Sequence, residues 1–240
     1  AVHVASGDTS RLVVSGAAYT NRPAVSGWIA GSTTLVLSNS NTAVVRTLPV
    51  TVLAGDLAAV RIAAAESAAQ SAWFAGTYRS ADGLLALYVY GYDAATNSLG
   101  LQSGTWSLSN AFGTFAGAAS GVSSVVIDLV RATNGTAASA NSNKVYVQVG
   151  AVSRLVSNIG IAPGAQARVE IETNAGGNAA AGYLTLPGTG SQGLYAASYD
   201  ADGNVRPGVT GAYGWSVTGA MGTLSAYAGS PVTFNAVAAG

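Results

Sequence analysis

The 240-residue chain predicts an all-β protein built of tandem antiparallel sandwiches. Three observations carry that prediction. Apolar residues alternate with polar ones at a period of two. Gly, Asn and Ser clusters interrupt the runs at intervals of roughly 8–14 residues, the punctuation of short strands and turns. A block near the middle of the chain returns near its end in the same order and spacing.

The strands come first. Thr33-Thr34-Leu35-Val36-Leu37, Leu84 to Tyr90, Val122 to Val130 and Lys144 to Val149 are rich in β-branched and aromatic residues, as half-buried strands are. Asp56 to Trp73 is alanine-rich and would favour a helix by intrinsic propensity. The repeat places a strand and then a linker there instead.

The repeat has two blocks. Leu87-Tyr88-Val89-Tyr90-Gly91-Tyr92-Asp93-Ala94-Ala95-Thr96-Asn97 returns 107 residues later as Leu194 to Asn204. Trp106-Ser107-Leu108 and the following Gly113-Thr114-Phe115 return 109 residues later as Trp215-Ser216-Val217 and Gly222-Thr223-Leu224. A period of that length is a domain duplication. A second motif, V-x-V-x-x-G, occurs at Val2, Val50 and Val145, and reads as a strand ended by a glycine turn. Ser10-Arg11-Leu12-Val13 after the first copy matches Ser153-Arg154-Leu155-Val156 after the third, at an offset of 143. These blocks divide the chain into a short β unit at 1–56, a domain at 57–151 and a domain at 152–240.

The Tyr-flanked Asp200 to Asn204 turn, the Trp215-Ser216-Val217-Thr218 strand, the Gly222-Thr223-Leu224 turn and the V-x-V-x-x-G strand resemble the bacterial immunoglobulin-like repeats of invasin and intimin-type adhesins. The resemblance covers residues 80–240 and is poor over 9–49. It implies tandem immunoglobulin-like antiparallel β-sandwiches in a secreted protein of the cell surface. It also implies that Trp106 and Trp215 are core residues of central strands. Trp28 is the candidate for that position in the first unit.

Composition narrows the function. Only 8% of residues are charged, ten Lys+Arg against ten Asp+Glu, where about 25% is usual. A neutral chain with one lysine lacks the basic footprint of a nucleic-acid binder, and little repulsion opposes self-association. The absence of cysteine excludes thiolate sites, and with one histidine no transition-metal site is expected. No run of about 18 apolar residues predicts a transmembrane helix.

The candidate sites are few. Asp200, Asp202 and Asn204 have the oxygen spacing of a calcium loop, but Asp-Gly-Asn is also hairpin-turn chemistry, and the counterpart at Asp93 to Asn97 loses two oxygens. No other cofactor is expected. Glu170 and Glu172 fall about 7 Å apart on one strand face by strand rise, within reach of paired catalytic carboxylates. A solvent-facing strand edge is the simpler expectation for them. His3 has no nucleophile motif near it, and no enzyme is expected. Tyr88, Tyr90, Tyr92, Tyr195 and Tyr199 suit cross-strand packing, or a glycan-stacking face for cell-surface glycans. Asn134-Gly135-Thr136 is a glycosylation sequon in a polar loop.

The remaining expectation concerns assembly. After Trp215 the chain runs through Val232-Thr233-Phe234 without a copy of the Val145 closing strand, whereas Val2 to Val13 looks like a closing strand with no domain before it. Residues 1–8, with Val2, His3 and Val4, are therefore read as a donor strand for the groove beside Val232, Thr233 and Phe234 of another copy. That exchange is head-to-tail and propagates as a filament or surface layer. The alternative is a stalk or adhesin fragment presenting a distal binding domain.

Overall fold

The structure is a computed structural model that describes residues 2–15, 23–39, 42–66, 73–77, 79–131, 143–175, 180–206 and 213–237. Twenty strands form its elements, with no helix among the described residues. The fold is all-β, with sheets that are antiparallel apart from one two-residue pair.

The first unit holds β1 (Val2–Ser6), β2 (Leu12–Ser15), β3 (Ala24–Gly27), β4 (Gly31–Asn39) and β5 (Thr42–Val52). β4 and β5 make a long hairpin, and β1 adds to it antiparallel, so the sheet order is β1-β4-β5. β2 and β3 pair separately. Leu12 is the single buried hydrophobic residue of this unit among those described, and Trp28 is exposed. Trp28 therefore does not fill a core position.

The second unit is a complete sandwich. One sheet comprises β6 (Ala59–Ala63), β8 (Leu84–Tyr92), β9 (Ser98–Leu101), β11 (Gly113–Phe115) and β13 (Ser124–Leu129), in the order β11-β13-β8-β6 with β9 alongside β8. The facing sheet comprises β10 (Gly104–Ser109), β12 (Ser120–Val122), β14 (Lys144–Val149) and β15 (Val152–Val156), in the order β12-β10-β14-β15. Period-2 alternation sets which side chains meet between the sheets. In β13 Val125, Ile127 and Leu129 are buried and their neighbours exposed; in β14 Val145, Val147 and Val149 are buried. Trp106 lies in β10, a central strand, and is 3% exposed within this core, as the sequence predicts. The Asp56–Trp73 segment contributes strand β6, with Ala63 bridged to Trp73; residues 67–72 lie outside the described set.

The expected boundary at 151/152 falls inside a hairpin. Gly150 takes a φ of 56°, within the tight turn between β14 and β15. β15 then pairs back onto β14 from Val145↔Val156 to Val149↔Val152. Val156, Ile159 and Ile161 belong to the second core. The glycine that reads as a domain end is a hairpin turn.

The third unit reproduces one of these two sheets. β17 (Arg168–Glu172), β18 (Ser191–Tyr199), β19 (Gly222–Leu224) and β20 (Val232–Ala236) lie in the order β17-β18-β20-β19, the order of β6-β8-β13-β11. Between the units, β7 (Arg79–Ser80) pairs parallel with β16 (Ile161–Ala162). Among the described residues the third unit has no second sheet, and its segment around Trp215 is not a strand. Trp215 is half-buried, so the expectation that it matches Trp106 in a core is corrected.

The two tryptophans therefore differ in energetic weight. Trp106→Ala is expected to cost about 3–5 kcal/mol of stability, as for other buried Trp truncations. Trp215→Ala is expected to cost less, because Trp215 is only partly buried and lies outside a two-sheet core. Chemical denaturation of the two variants checks the contrast.

Candidate assembly interface

Two turns clasp the three units together. Both are the Asp-x-x-x-Asn turns of the repeat. In the second unit the Asp93 carboxylate accepts the Ala95 N–H (2.9 Å) and the Asn97 N–H (2.7 Å) on Oδ1. Its Oδ2 accepts the Gly55 N–H (2.8 Å) and the Asn97 Nδ2 (2.7 Å). Asn97 then reaches into the first unit: its Nδ2 donates to the Trp28 carbonyl (3.0 Å) and its Oδ1 accepts the Ala30 N–H (2.8 Å).

The third unit repeats the arrangement. Asp200 Oδ1 accepts the Asn204 N–H (2.7 Å), and Oδ2 accepts the Gly164 N–H (2.8 Å) and the Asn204 Nδ2 (2.7 Å). Asn204 Nδ2 also donates to the Val130 carbonyl of the second unit (3.3 Å). Asp82, again of the second unit, accepts the Ala165 N–H (2.7 Å). Gly164 sits so close to the Asp82 carboxylate that a Cβ there would overlap it. A side chain at 164 would displace the Asp82 carboxylate from the Ala165 N–H.

Of the oxygens read as a calcium loop, the two of Asp200 are thus engaged by N–H donors. Both Asp200 oxygens serve the turn, and among the described residues no group of three or more His, Cys, Asp or Glu is placed to hold a metal ion. Burial opposes ionisation of Asp200, yet the donors from Asn204 and Gly164 outweigh it and hold its carboxyl below the ordinary 3.8. Burial raises the Asp202 carboxyl, with Asp200, Asp82 and Asp128 adding to it.

Glu170 and Glu172 do not share a solvent face, which corrects the expectation for them. Glu170 pairs with Arg168 at 2.7 Å, while Glu172 is fully buried and accepts the Tyr199 hydroxyl. Burial, then the Glu172 hydrogen bond, pushes Tyr199 up to about 12. Glu172 occupies the place of Ala63 in the second unit. The partner that buries it is 27 residues away in sequence, on β18.

The main contrast between the repeats is on the inner sheet face. Val60 and Ile62 of β6 are 4% and 2% exposed. Their counterparts on β17, Val169 and Ile171, are 45% and 48% exposed. In the second unit the facing sheet, with β14 and β15, covers that side. In the third unit the described residues supply no such cover. The segment around Trp215 still makes half of its contacts: the Trp215 N–H donates to the Tyr227 carbonyl (3.0 Å) and the indole Nε1 to the Gly229 carbonyl (2.6 Å). The indole bond mirrors that of Trp106 to Val122 (3.2 Å). The other side of β10 carries β14; the other side of the Trp215 segment carries no strand among the described residues.

The residues expected at the interface are placed as follows. β1, with Val2, His3 and Val4, is the end strand of its own sheet, paired on one side to β4 from Val2↔Asn39 to Ser6↔Leu35. It is not a detached arm. Val232, Thr233 and Phe234 lie in β20, which is hydrogen-bonded on both sides, to β18 and β19. They contribute side chains to the sheet rather than a free backbone edge. Asn134 lies outside the described residues. Sequence reading missed Gly164, Asp82 and the inter-unit bonds of Asn97 and Asn204. The one available signal was the retention of Asn at the fifth position of both turns.

No family model matches the chain, and no curated protein matches it. Solved structures do. Domains 4–9 of the surface layer protein SbsC align over 98% of this chain and 34% of that one, at 16% identity and a TM-score of 0.33. The Escherichia coli adhesin FdeC aligns over 100% and 78%, at 15% identity and a TM-score of 0.43. Invasin, a bacterial integrin-binding protein, aligns over 99% and 47%, at 13% identity and a TM-score of 0.32. The chain spans about a third of the SbsC structure.

The Asp200 turn is testable by acid. A carboxyl lowered in the folded state gives stability that is complete above its unfolded pKa and is lost as pH falls through the folded value. Unfolding midpoints are therefore expected to hold above about pH 5 and fall below about pH 4. Asp200→Asn, which sets an NH2 against at least one of the three donors, should lower stability at neutral pH and reduce that acid dependence. Denaturation curves at pH 3, 4 and 7 measure both.

Proposed function

We propose that this protein is an extracellular structural subunit that assembles head-to-tail into a filament or surface layer by β-strand complementation, and that it has no enzymatic role. The observation that carries the reading is the open inner face of the third unit, joined to the sequence of the first. β1 and the residues after it repeat the signature of β14 and β15, the strands that cover the same face in the second unit.

β14 lies between β10 and β15, and the Trp106 N–H turns away from it to the Ala119 carbonyl, so Tyr146 and Gln148 are the residues whose backbone faces β10. Their counterparts in the first unit are His3 and Ala5. The Gly7 N–H bonds to the Thr34 carbonyl, and by the alternation of the ladder His3 and Ala5 turn the same edge to β4. In the assembly β1 therefore leaves β4 and pairs by that edge with the Trp215 segment of a second copy, in the slot of β14. The exposed edge and the apolar face are satisfied together. Covering the exposed half of Val169 and of Ile171 contributes about 1 kcal/mol each, half the value of full burial, and the low charge of the chain offers little opposing repulsion. The contact is heterologous, so it propagates.

The test uses Val169→Glu with Ile171→Glu. Both side chains meet water in the single chain, so the pair should leave the unfolding midpoint of the monomer nearly unchanged. Sedimentation velocity at two concentrations should show concentration-dependent polymers for the unmodified chain and monomers for the variant. An unmodified chain that stays monomeric at both concentrations, or a variant that polymerises equally, contradicts the reading and favours a stalk.

A further inference from the structure

The second unit has a cleft at one side of its sandwich. It encloses about 430 Å³ and is lined by residues 59–62 of β6, by Trp73 and Phe74, and by Arg154 of β15. β6 ends one sheet of the sandwich and β15 ends the other, so the cleft opens along the side where the two sheets meet.

Two arginines line this cleft, in a chain with only ten basic residues. Arg61 is held by two rings: its guanidinium lies 4.9 Å from the centroid of Trp73 and 4.9 Å from that of Tyr92. Trp73 is fixed in turn by edge-on packing against Tyr92, with centroids 5.5 Å apart. Such contacts orient a guanidinium without using its N–H donors on an anion. Among the described residues neither Arg61 nor Arg154 has a carboxylate within salt-bridge distance; the ion pairs there are Arg11–Asp8 and Arg168–Glu170.

The repeats show what is particular to this place. Arg154 matches Arg11 in the Ser-Arg-Leu-Val motif, and Arg11 is neutralised by Asp8 three residues earlier, at 3.1 Å. At the position three before Arg154 stands Ala151, so that counter-charge is missing. Arg61 matches Glu170 of the third unit, and Glu170 is paired. Trp73 matches Ala180. In the second unit alone, two cations without a carboxylate partner and a half-exposed indole face one cavity.

We propose that this cleft binds an acidic saccharide, a uronic acid residue of a glycan chain. The two guanidinium forks hold the carboxylate, since their planar donors match it bidentately. Trp73 supplies the apolar surface that the C–H face of a pyranose requires. The volume lies in the range of small-molecule sites and suits one or two sugar rings. Like-charged guanidiniums facing one cleft repel, and a bound carboxylate removes that penalty.

The experiment is isothermal titration calorimetry on the full chain with trigalacturonic acid, maltotriose and inorganic phosphate as probes. Trigalacturonic acid should bind one site per chain, maltotriose should not bind, and phosphate should bind far more weakly. Arg154→Gln, at an exposed position, should weaken trigalacturonic acid binding at least tenfold, and Arg61→Gln should do the same. Arg168→Gln, the change at a paired arginine of the third unit, should leave binding intact. Near-ultraviolet circular dichroism shows whether each variant keeps its aromatic packing. Absence of trigalacturonic acid binding, equal binding of maltotriose or phosphate, or an Arg154→Gln variant that binds like the unmodified chain overturns the proposal.

Discussion

A sheet with one apolar face needs a second layer over it, and that requirement organises this molecule. In the second unit it is met within the chain. The β12-β10-β14-β15 sheet lies over the β11-β13-β8-β6 sheet, and Leu87, Val89, Ile127, Val145 and Val147 are withdrawn from water between them. In the third unit the same sheet forms, in the same strand order, with its Val169 and Ile171 side half open. Buried apolar area is the main favourable term in folding. One unit thus carries a self-sufficient core, and the other has an apolar face that a further layer would complete.

The clasps give this difference its geometry. Asp93 and Asn97 tie the second unit to the first, and Asp200 and Asn204 tie the third to the second, each by a carboxylate that gathers N–H donors and an amide that reaches across the junction. An Asn side chain has both a donor and an acceptor to spend, so one residue can close the turn and bridge the units. Gly164 allows the close approach to Asp82. The described contacts across both junctions include these hydrogen-bonded turns.

Much of this was legible in the residues. The alternation of β8, β13 and β14 places Val125, Ile127, Val145 and Val147 in a core before any coordinates are known, and the duplication of Leu87–Asn97 as Leu194–Asn204 announces two units of one design. The failures share a physical cause: each depends on what a residue meets from another part of the chain. Trp215 repeats Trp106 in sequence, but its burial depends on a covering strand and not on its own motif. Glu172 reads as a surface carboxylate until Tyr199 is brought beside it by pairing of β17 with β18. Gly150 looks like a domain end because a hairpin turn and a linker have the same local chemistry. Arg61 and Arg154 lie on different sheets, and their convergence is invisible along the chain.

In the proposed assembly β1 of one copy occupies, beside Trp215 of another, the position that β14 occupies beside Trp106. The β10–β14 register sets Trp106 opposite Val147 and Ser107 opposite Tyr146. Carried through the repeat, it sets Trp215 opposite Val4 and Ser216 opposite His3. The chain has no cysteine, so disulfide trapping reads this register directly. A Ser216→Cys variant mixed with a His3→Cys variant and oxidised should give a covalent heterodimer, visible on a non-reducing gel. The out-of-register mixture, Ser216→Cys with Val2→Cys, should give little. Equal trapping in both mixtures, or none in either, rules out this strand pairing between copies.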